Sequence, residues 1–205
     1  MTPTFRFDQA ELTSKLEQLP PTLRVIFAAS CAERSLPAYI TSSGLTGRGD
    51  PDMITRILMR LWKDVAGEQM TESEVEANIN SCMTLIPQDY HEPWYVEQAC
   101  AEDAGTAVIY ALTCRQNGSS QEAMWSAQCS SEAVGYFATN REQIDLRPGA
   151  ASRVFSHPLI QAELARQFRD IDELLRVTDD DVQQVAARFH ARAKAESKNF
   201  FGAPS

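Results

Sequence analysis

Apolar residues recur every three or four positions along most of this chain, and that spacing predicts amphipathic helices. The clearest case begins at Asp50-Pro51, where an acid suited to capping precedes the proline favoured at the first helical position. The predicted helix ends at Gly67, and a capping box at Thr71 and Glu74 opens the next one. The apolar stripe of the first helix consists of Ile54, Ile57, Leu58, Leu61, Trp62 and Val65.

Comparable patterns cover the rest of the sequence. Further helices are expected over 8–19, 22–35, 71–86, 94–117, 121–140 and 157–176, with a final helix capped by 179–181. No stretch alternates apolar and polar residues for long, so no sheet is predicted. The expected fold is therefore all-α, a single-domain bundle of about eight or nine helices over residues 1–198 with a flexible tail at 199–205.

Two breaks are expected between the second helix and the helix that starts at Asp50. Pro37 is predicted to end the second helix, and a short helix with Tyr39 should follow. The segment SSGLTGRGD is predicted to be a glycine-rich loop. It does not match a phosphate-binding loop, because no strand precedes it and no Gly-Lys-Ser/Thr is present.

Three charged residues near the predicted core are expected to be structural. Glu33 and Arg34 are placed at the end of the second helix, as an anchor first and a functional site second. If Asp103 faces inward beside its stripe of small residues, it needs a partner, and Arg34 or Arg56 is the obvious candidate.

Composition indicates an ordinary globular protein, with 205 residues of which 43% are hydrophobic and 23% charged. No apolar run approaches the ~18 residues of a membrane span, and the N-terminus lacks the features of a secretory signal. A cytoplasmic location is therefore expected. The five cysteines are odd in number and contain no C-x-x-C pair, so they predict buried free thiols rather than disulfides or a zinc site.

Acidic residues are unevenly distributed. The net charge is −9, and residues 64–114 contain ten acids and no Lys or Arg, so this segment carries −10 and the remainder +1 (−9 minus −10). Such a field disfavours nucleic acids and anionic membranes and favours a basic protein partner. The alternative is a solvated acidic face that only contributes solubility.

An aromatic loop, QDYHEPWY, lies within this acidic segment. Aromatic side chains beside a charged surface are common interface anchors, although such a loop can also cover the end of a helical core. The predicted partner-binding surface combines the acids and the loop: Glu68, Glu72, Glu76, Asp89, Tyr90, Glu92, Trp94 and Tyr95.

Catalytic motifs are missing from the sequence. The histidines at 91, 157 and 190 are not spaced as metal ligands, and neither H-E-x-x-H nor G-x-S-x-G occurs. His157 is expected at a helix start and His190 on a polar helix face. Glu102 and Asp103 are sequence neighbours, which do not face each other on a helix. No catalytic residue, metal or cofactor is therefore predicted.

Several of these residues also resemble a known family. The stretch from Phe27 to Trp62 and looser matches up to Leu175 resemble the YjaG-like family of bacterial proteins, a family of unknown function. That resemblance implies an all-α cytoplasmic protein and brings no catalytic residues. The matching positions include Phe27, Cys31, Glu33, Arg34, Pro37, Tyr39, Asp50, Arg56, Trp62 and Asp103.

Three functional hypotheses follow. The first is a non-catalytic immunity- or antitoxin-type protein that neutralises a basic toxin domain, such as a nuclease. The second is a housekeeping protein of the YjaG-like family that acts as a scaffold or homodimer. The third is a helical metal-dependent hydrolase that uses Glu33, His91, Glu102 and Asp103. A salt-sensitive basic partner, a dimer in solution or a stoichiometric metal would distinguish them.

Overall fold

Eight helices make up the part of the chain that the computed structural model describes, namely residues 5–86, 96–141, 154, 156–177 and 182–200. No strand occurs in these residues, which confirms the predicted all-α fold. The helices are α1 (Gln9–Glu17), α2 (Pro21–Thr46), α3 (Pro51–Val65), α4 (Glu72–Leu85), α5 (Val96–Asn117), α6 (Ser120–Arg141), α7 (Pro158–Leu174) and α8 (Val182–Ser197).

The helix starts that were predicted from capping residues are confirmed. Asp50 accepts a hydrogen bond from the Met53 amide at 2.8 Å, and the capping box between Thr71 and Glu74 is formed in both directions. His157 caps α7, where its Nδ1 accepts from the Leu159 amide at 3.2 Å. These bonds satisfy amides that a helix start leaves without an intrahelical partner.

Helix α2 lies at the centre of the bundle and packs against α3, α5, α6, α7 and α8. Alanines on its surface, such as Ala28 and Ala32, are fully buried and allow close approach of its neighbours. The Ser126 hydroxyl of α6 lies 3.0 Å from the carbonyl oxygens of both Ala28 and Ala107. Because Ala107 is on α5, this one side chain links the three central helices.

The predicted break at Pro37 is wrong. Helix α2 continues through Pro37 to Thr46, so Glu33 and Arg34 lie inside a 26-residue helix rather than at its end. An interior proline costs about 3 kcal/mol in an isolated helix. Burial of side chains on both sides of Pro37, including Leu36 and Tyr39, offsets this cost.

Tyr39 ties the end of α2 to two other segments. Its hydroxyl donates to the Leu85 carbonyl at 2.7 Å and accepts from the Asp50 amide at 3.3 Å. Gly49 makes this possible, because a Cβ at that position would overlap the Tyr39 hydroxyl, and because its φ of 79° is unfavourable for other residues. The predicted glycine loop is therefore short, and Gly44 lies within α2.

Some large apolar side chains are exposed. Met83, eight positions after the buried Val75 on α4, is 50% exposed, and Val182 at the start of α8 is also exposed. The buried face of α7 contains Glu163, Gln167 and Asp170, which the apolar pattern did not include. All five cysteines are buried, as predicted, and none of them is in a disulfide bond.

The third residue after α8 is buried. Phe200, which follows the predicted domain boundary at 198, is 5% exposed, and its ring lies tilted against that of Phe137 with centroids 6.2 Å apart. Residues 201–205 lie outside the described part of the chain. Within the described residues, every helix is too short or too polar to cross a membrane.

Candidate functional site

The outer side of α4 presents an exposed acidic surface. Glu72, Glu76, Asn80 and Met83 follow each other at helical spacing, and all four are exposed; we call them the α4 acidic face. Among the described residues, neither Glu72 nor Glu76 forms an ion pair. Two of the predicted partner-binding acids thus lie together on one face, and an exposed methionine adjoins them.

The remaining acids near α4 are partly neutralised. The predicted contact residue Glu68 is exposed but lies 3.8 Å from Lys63, and Glu74 lies 3.8 Å from Arg60. Asp64 is buried, and Arg115, directly beyond the acidic segment, donates to it at 2.5 Å. The acidic field is therefore weaker than the sequence count of −10 indicates.

The aromatic half of the predicted surface is not described. Asp89, Tyr90, Glu92, Trp94 and Tyr95 lie outside the described residues, as does the candidate metal ligand at position 91. Their part in partner binding remains a prediction.

Glu33 and Arg34, although adjacent, contact different helices. Glu33 faces α3, where the Trp62 indole Nε1 donates to its carboxylate at 3.2 Å. His190 of α8 stacks on the same indole with ring centroids 4.8 Å apart, so its predicted position on a polar face is wrong. Burial raises the pKa of Glu33, while the Trp62 hydrogen bond and the charge of Lys194 oppose that rise.

Arg34 is the centre of a buried polar network between α2 and α7. Its Nε donates to both carboxylate oxygens of Glu163, at 3.1 and 3.0 Å, and its Nη1 donates to Asp170 at 2.7 Å. Gln167 donates to Glu163 at 3.0 Å, and the Ser130 hydroxyl donates to it at 3.3 Å. Because the network is closed off from solvent and its groups are paired, it serves to join helices rather than to bind a ligand.

The predicted pairing of Asp103 with Arg34 or Arg56 is wrong. Arg34 is bound to Glu163 and Asp170, and Arg56 is exposed and contacts Met53. Asp103 instead lies on α5 beside Cys129 and Glu132 of α6, with one ligand atom from each residue within 4.8 Å of the others. We call these three residues the Asp103 cluster.

The electrostatics of the Asp103 cluster are unusual. Burial, followed by the charges of Glu132 and Glu102, raises the pKa of Asp103 to about 8. Its Oδ2 is buried and accepts no hydrogen bond from the described residues. Burial also raises the pKa of Cys129, and Asp103 and Glu132 raise it further. Gln128 donates a hydrogen bond to Glu132 at 2.8 Å, whereas the charges that act on Asp103 are both negative.

Other buried polar residues were missed because they carry no motif. Glu163, Gln167 and Asp170 are spaced i, i+4 and i+7, which places them on one helix face. This polar stripe is the feature of the sequence that could have indicated the buried network around Arg34. Cys129 and Glu132 show a similar i, i+3 spacing, but nothing in the sequence relates them to Asp103.

The hydrolase hypothesis drew on residues that have separate surroundings. Glu33 contacts Trp62, whereas Asp103 lies with Cys129 and Glu132. Glu102 is exposed and acts on Asp103 through its charge. Among the described residues, the group that could hold a metal ion is therefore Asp103 with Cys129 and Glu132, and of the residues in the hydrolase hypothesis it contains Asp103.

Comparisons with known proteins agree with the fold. A solved structure of a DUF416 family protein from Shewanella baltica OS155 is similar, with a TM-score of 0.79 and 18% sequence identity over 93% of this chain and 96% of that chain. At that identity the likeness shows the fold alone. No curated protein matches the chain. The family model described as "Protein of unknown function (DUF416)" matches residues 11–198, so this chain belongs to the DUF416 family.

Proposed function

We propose that this protein is a non-catalytic binding protein of the immunity or antitoxin type, which neutralises a basic toxin domain, such as a nuclease, in the bacterial cytoplasm. The observation that carries the proposal is the α4 acidic face, where Glu72 and Glu76 are exposed and unpaired among the described residues beside the exposed Met83.

This face combines the two properties that such a partner requires. Unpaired carboxylates attract a basic surface over distance and raise the association rate at low salt. Met83 supplies a flexible apolar contact that adapts to a partner's surface. Glu68, in the segment between α3 and α4, extends the acidic edge, although Lys63 lies 3.8 Å away.

The test is co-expression with a toxin domain. A basic C-terminal domain encoded beside the gene for this protein is expressed with the native chain or with the Glu72→Lys/Glu76→Lys variant. The native chain should restore growth and form a complex that weakens as salt is raised. The variant should lose protection, because two repulsive charges replace two attractive ones.

A matched control carries the same change in net charge elsewhere. Glu11 and Glu17 are exposed acids on α1, and the Glu11→Lys/Glu17→Lys variant should protect as well as the native chain. Equal loss of protection in both variants, or full protection by the α4 variant, would contradict the proposal.

The alternative is a housekeeping protein related to the YjaG-like proteins that acts as a scaffold or homodimer. Trp125 and Tyr136 on α6, which are 37% and 49% exposed, favour it as apolar contacts on a second surface. Light scattering of the purified chain distinguishes the two proposals. A stable dimer that Trp125→Ala dissociates, with no protection from any toxin domain, would support the alternative.

A further inference from the structure

The Asp103 cluster is built from two neighbouring antiparallel helices. Asp103 comes from the middle of α5, and Cys129 and Glu132 come from α6 one helical turn apart. Their ligand atoms, a thiol and two carboxylate oxygens, lie within 4.8 Å of one another. The three residues range from buried to exposed: Cys129 is 8% exposed, Asp103 is partly buried and Glu132 is at the surface.

A second observation concerns Asp103 itself, since the described partner of the cluster is Gln128, which donates to Glu132 at 2.8 Å. The buried Oδ2 of Asp103 accepts no hydrogen bond from the described residues, and a buried acceptor without a donor is unfavourable. The charged groups acting on Asp103 are Glu132 and Glu102, which are both acids. By contrast, the buried carboxylates Asp64, Glu163 and Asp170 each pair with an arginine, and the buried Glu33 accepts a hydrogen bond from Trp62. A cation is what the surroundings of Asp103 are missing.

We propose that Asp103, Cys129 and Glu132 form a Zn²⁺ site. One thiolate with two carboxylates suits a borderline-soft ion, whereas Mg²⁺ and Ca²⁺ prefer sites made only of oxygen. Zn–S and Zn–O bonds of about 2.3 and 2.0 Å place tetrahedral ligand atoms about 3.5 Å apart. The exposed Glu132 side chain has the freedom to close the remaining distance.

Three protein ligands leave one coordination position for an exogenous group. Glu132 and Tyr136 also line a cavity of about 360 Å³ between α6, α7 and the segment before α1, together with apolar side chains such as Ile160 and Leu164. An exogenous fourth ligand would therefore reach the ion from the side of Glu132, where the cavity and the solvent lie. An open position of this kind is found in zinc sites that bind small molecules.

Cobalt reports directly on the thiolate. Full-length protein is treated with a chelator, dialysed and titrated with Co²⁺, which takes zinc positions and gives a sulfur-to-cobalt charge-transfer absorption when a cysteine is a ligand. We expect one Co²⁺ per chain with this absorption, displacement by stoichiometric Zn²⁺, and no displacement by an excess of Mg²⁺ or Ca²⁺.

Variants assign the ligands. Cys129→Ser should abolish the charge-transfer absorption, and Asp103→Asn and Glu132→Gln should each weaken Zn²⁺ binding at least tenfold in calorimetry. Cys114→Ser is the matched control, because Cys114 is likewise a buried thiol, on α5 and outside the cluster. It should leave both readouts unchanged. The Asn and Gln variants keep the test decisive if the serine variant does not fold.

Several results would overturn the assignment of these ligands. The native protein could lack the charge-transfer absorption, or Mg²⁺ could displace the bound ion. The absorption could also persist in Cys129→Ser or disappear in Cys114→Ser. The site shares no residue with the α4 acidic face, so its failure would leave the proposed partner binding standing.

Discussion

Arg34 on α2 and Glu163 on α7 form a buried ion pair, in which the guanidinium Nε lies 3.0 Å from Oε2 of the carboxylate and both side chains are 2% exposed. Asp170 adds a second buried carboxylate, 2.7 Å from Nη1 of Arg34. Arg169 and Arg192 reach Asp170 from the rim at 2.7 and 3.0 Å. The network thereby joins the central helix to α7 and, through Arg192, to α8.

Removing Arg34 should be strongly destabilising. Arg34→Met leaves Glu163 buried beside an apolar group and deprives Asp170 of its buried partner, so the free energy of unfolding should fall by about 3–5 kcal/mol. Urea denaturation followed by circular dichroism measures the change. Arg56→Met, a substitution of an exposed arginine, is the control and should cost under about 0.5 kcal/mol. A loss below about 1 kcal/mol for Arg34→Met would show that the pair is not needed for stability.

Asp103→Asn should change the pH dependence of stability in the chelator-treated protein. The folded protein holds the pKa of Asp103 at about 8, against an ordinary value of 3.8. Below the ordinary pKa, Asp103 is protonated in both the folded and the unfolded state, so its ionisation does not affect the free energy of unfolding. Between the two values the unfolded state loses its proton first, so the native protein is progressively destabilised as pH rises.

The Asp103→Asn variant has no ionisable carboxyl group at this position. Its stability relative to the native protein should therefore increase through the range from about pH 4 to about pH 8 and then level off, with a total change of the order of a few kcal/mol. Urea titrations across that range provide the measurement. A constant difference between the two proteins would mean that Asp103 ionises normally in the folded state.

Gly49→Ala should be destabilising through Tyr39. The new Cβ would overlap the Tyr39 hydroxyl, and alanine is disfavoured at the positive φ of 79°. A loss of about 1–3 kcal/mol is expected. A double-mutant cycle with Tyr39→Phe separates the two causes, because phenylalanine removes the overlapping oxygen and leaves the backbone conformation unchanged.

The cost of Gly49→Ala should be smaller by about 1 kcal/mol in the Tyr39→Phe background. Strictly additive effects would show that backbone conformation alone accounts for the glycine. Gly44→Ala is the control, because Gly44 lies within α2 with no atom near its missing Cβ, and it should be neutral or slightly stabilising.

Trp62→Phe should leave the buried carboxylate of Glu33 without its donor. The indole hydrogen bond of 3.2 Å supports the charged form of Glu33, whose pKa is already raised by burial. The substitution should cost about 1–3 kcal/mol, and the cost should be larger at alkaline than at acidic pH, where Glu33 is protonated. Trp125→Phe, at an exposed position, is the control. A cost that does not vary with pH would mean that lost packing against His190, rather than the hydrogen bond, explains the effect.

Local features were predictable from the sequence with good accuracy. The start of α3 at Pro51, the capping box of α4 and the apolar stripe from Ile54 to Val65 all have the predicted positions. Each depends on residues within a few positions of one another, so the chain's own geometry decides them. The family resemblance also implied the all-α fold, while the chemistry of the protein remained open.

Pro37 shows where local rules fail. The rule that proline ends a helix describes a helix in isolation, whereas α2 is surrounded by other helices and gains more from burial than it loses at Pro37. The exposure of Met83 is a related case. It lies at helical spacing from the buried Val75, but among the described helices α4 packs mainly against α5 and α3, on the side opposite Met83.

Helix positions, caps and the excess of acids between 64 and 114 follow from the sequence alone, because they depend on near neighbours and on counting. The partners of the charged residues do not. Arg34 and Glu163 are 129 positions apart, and Asp103 lies with Cys129 only because α5 and α6 pack at one particular rotation. A turn of either helix by one residue would move these side chains to another face, so packing of the whole bundle decides which charges are neutralised and which are left unpaired.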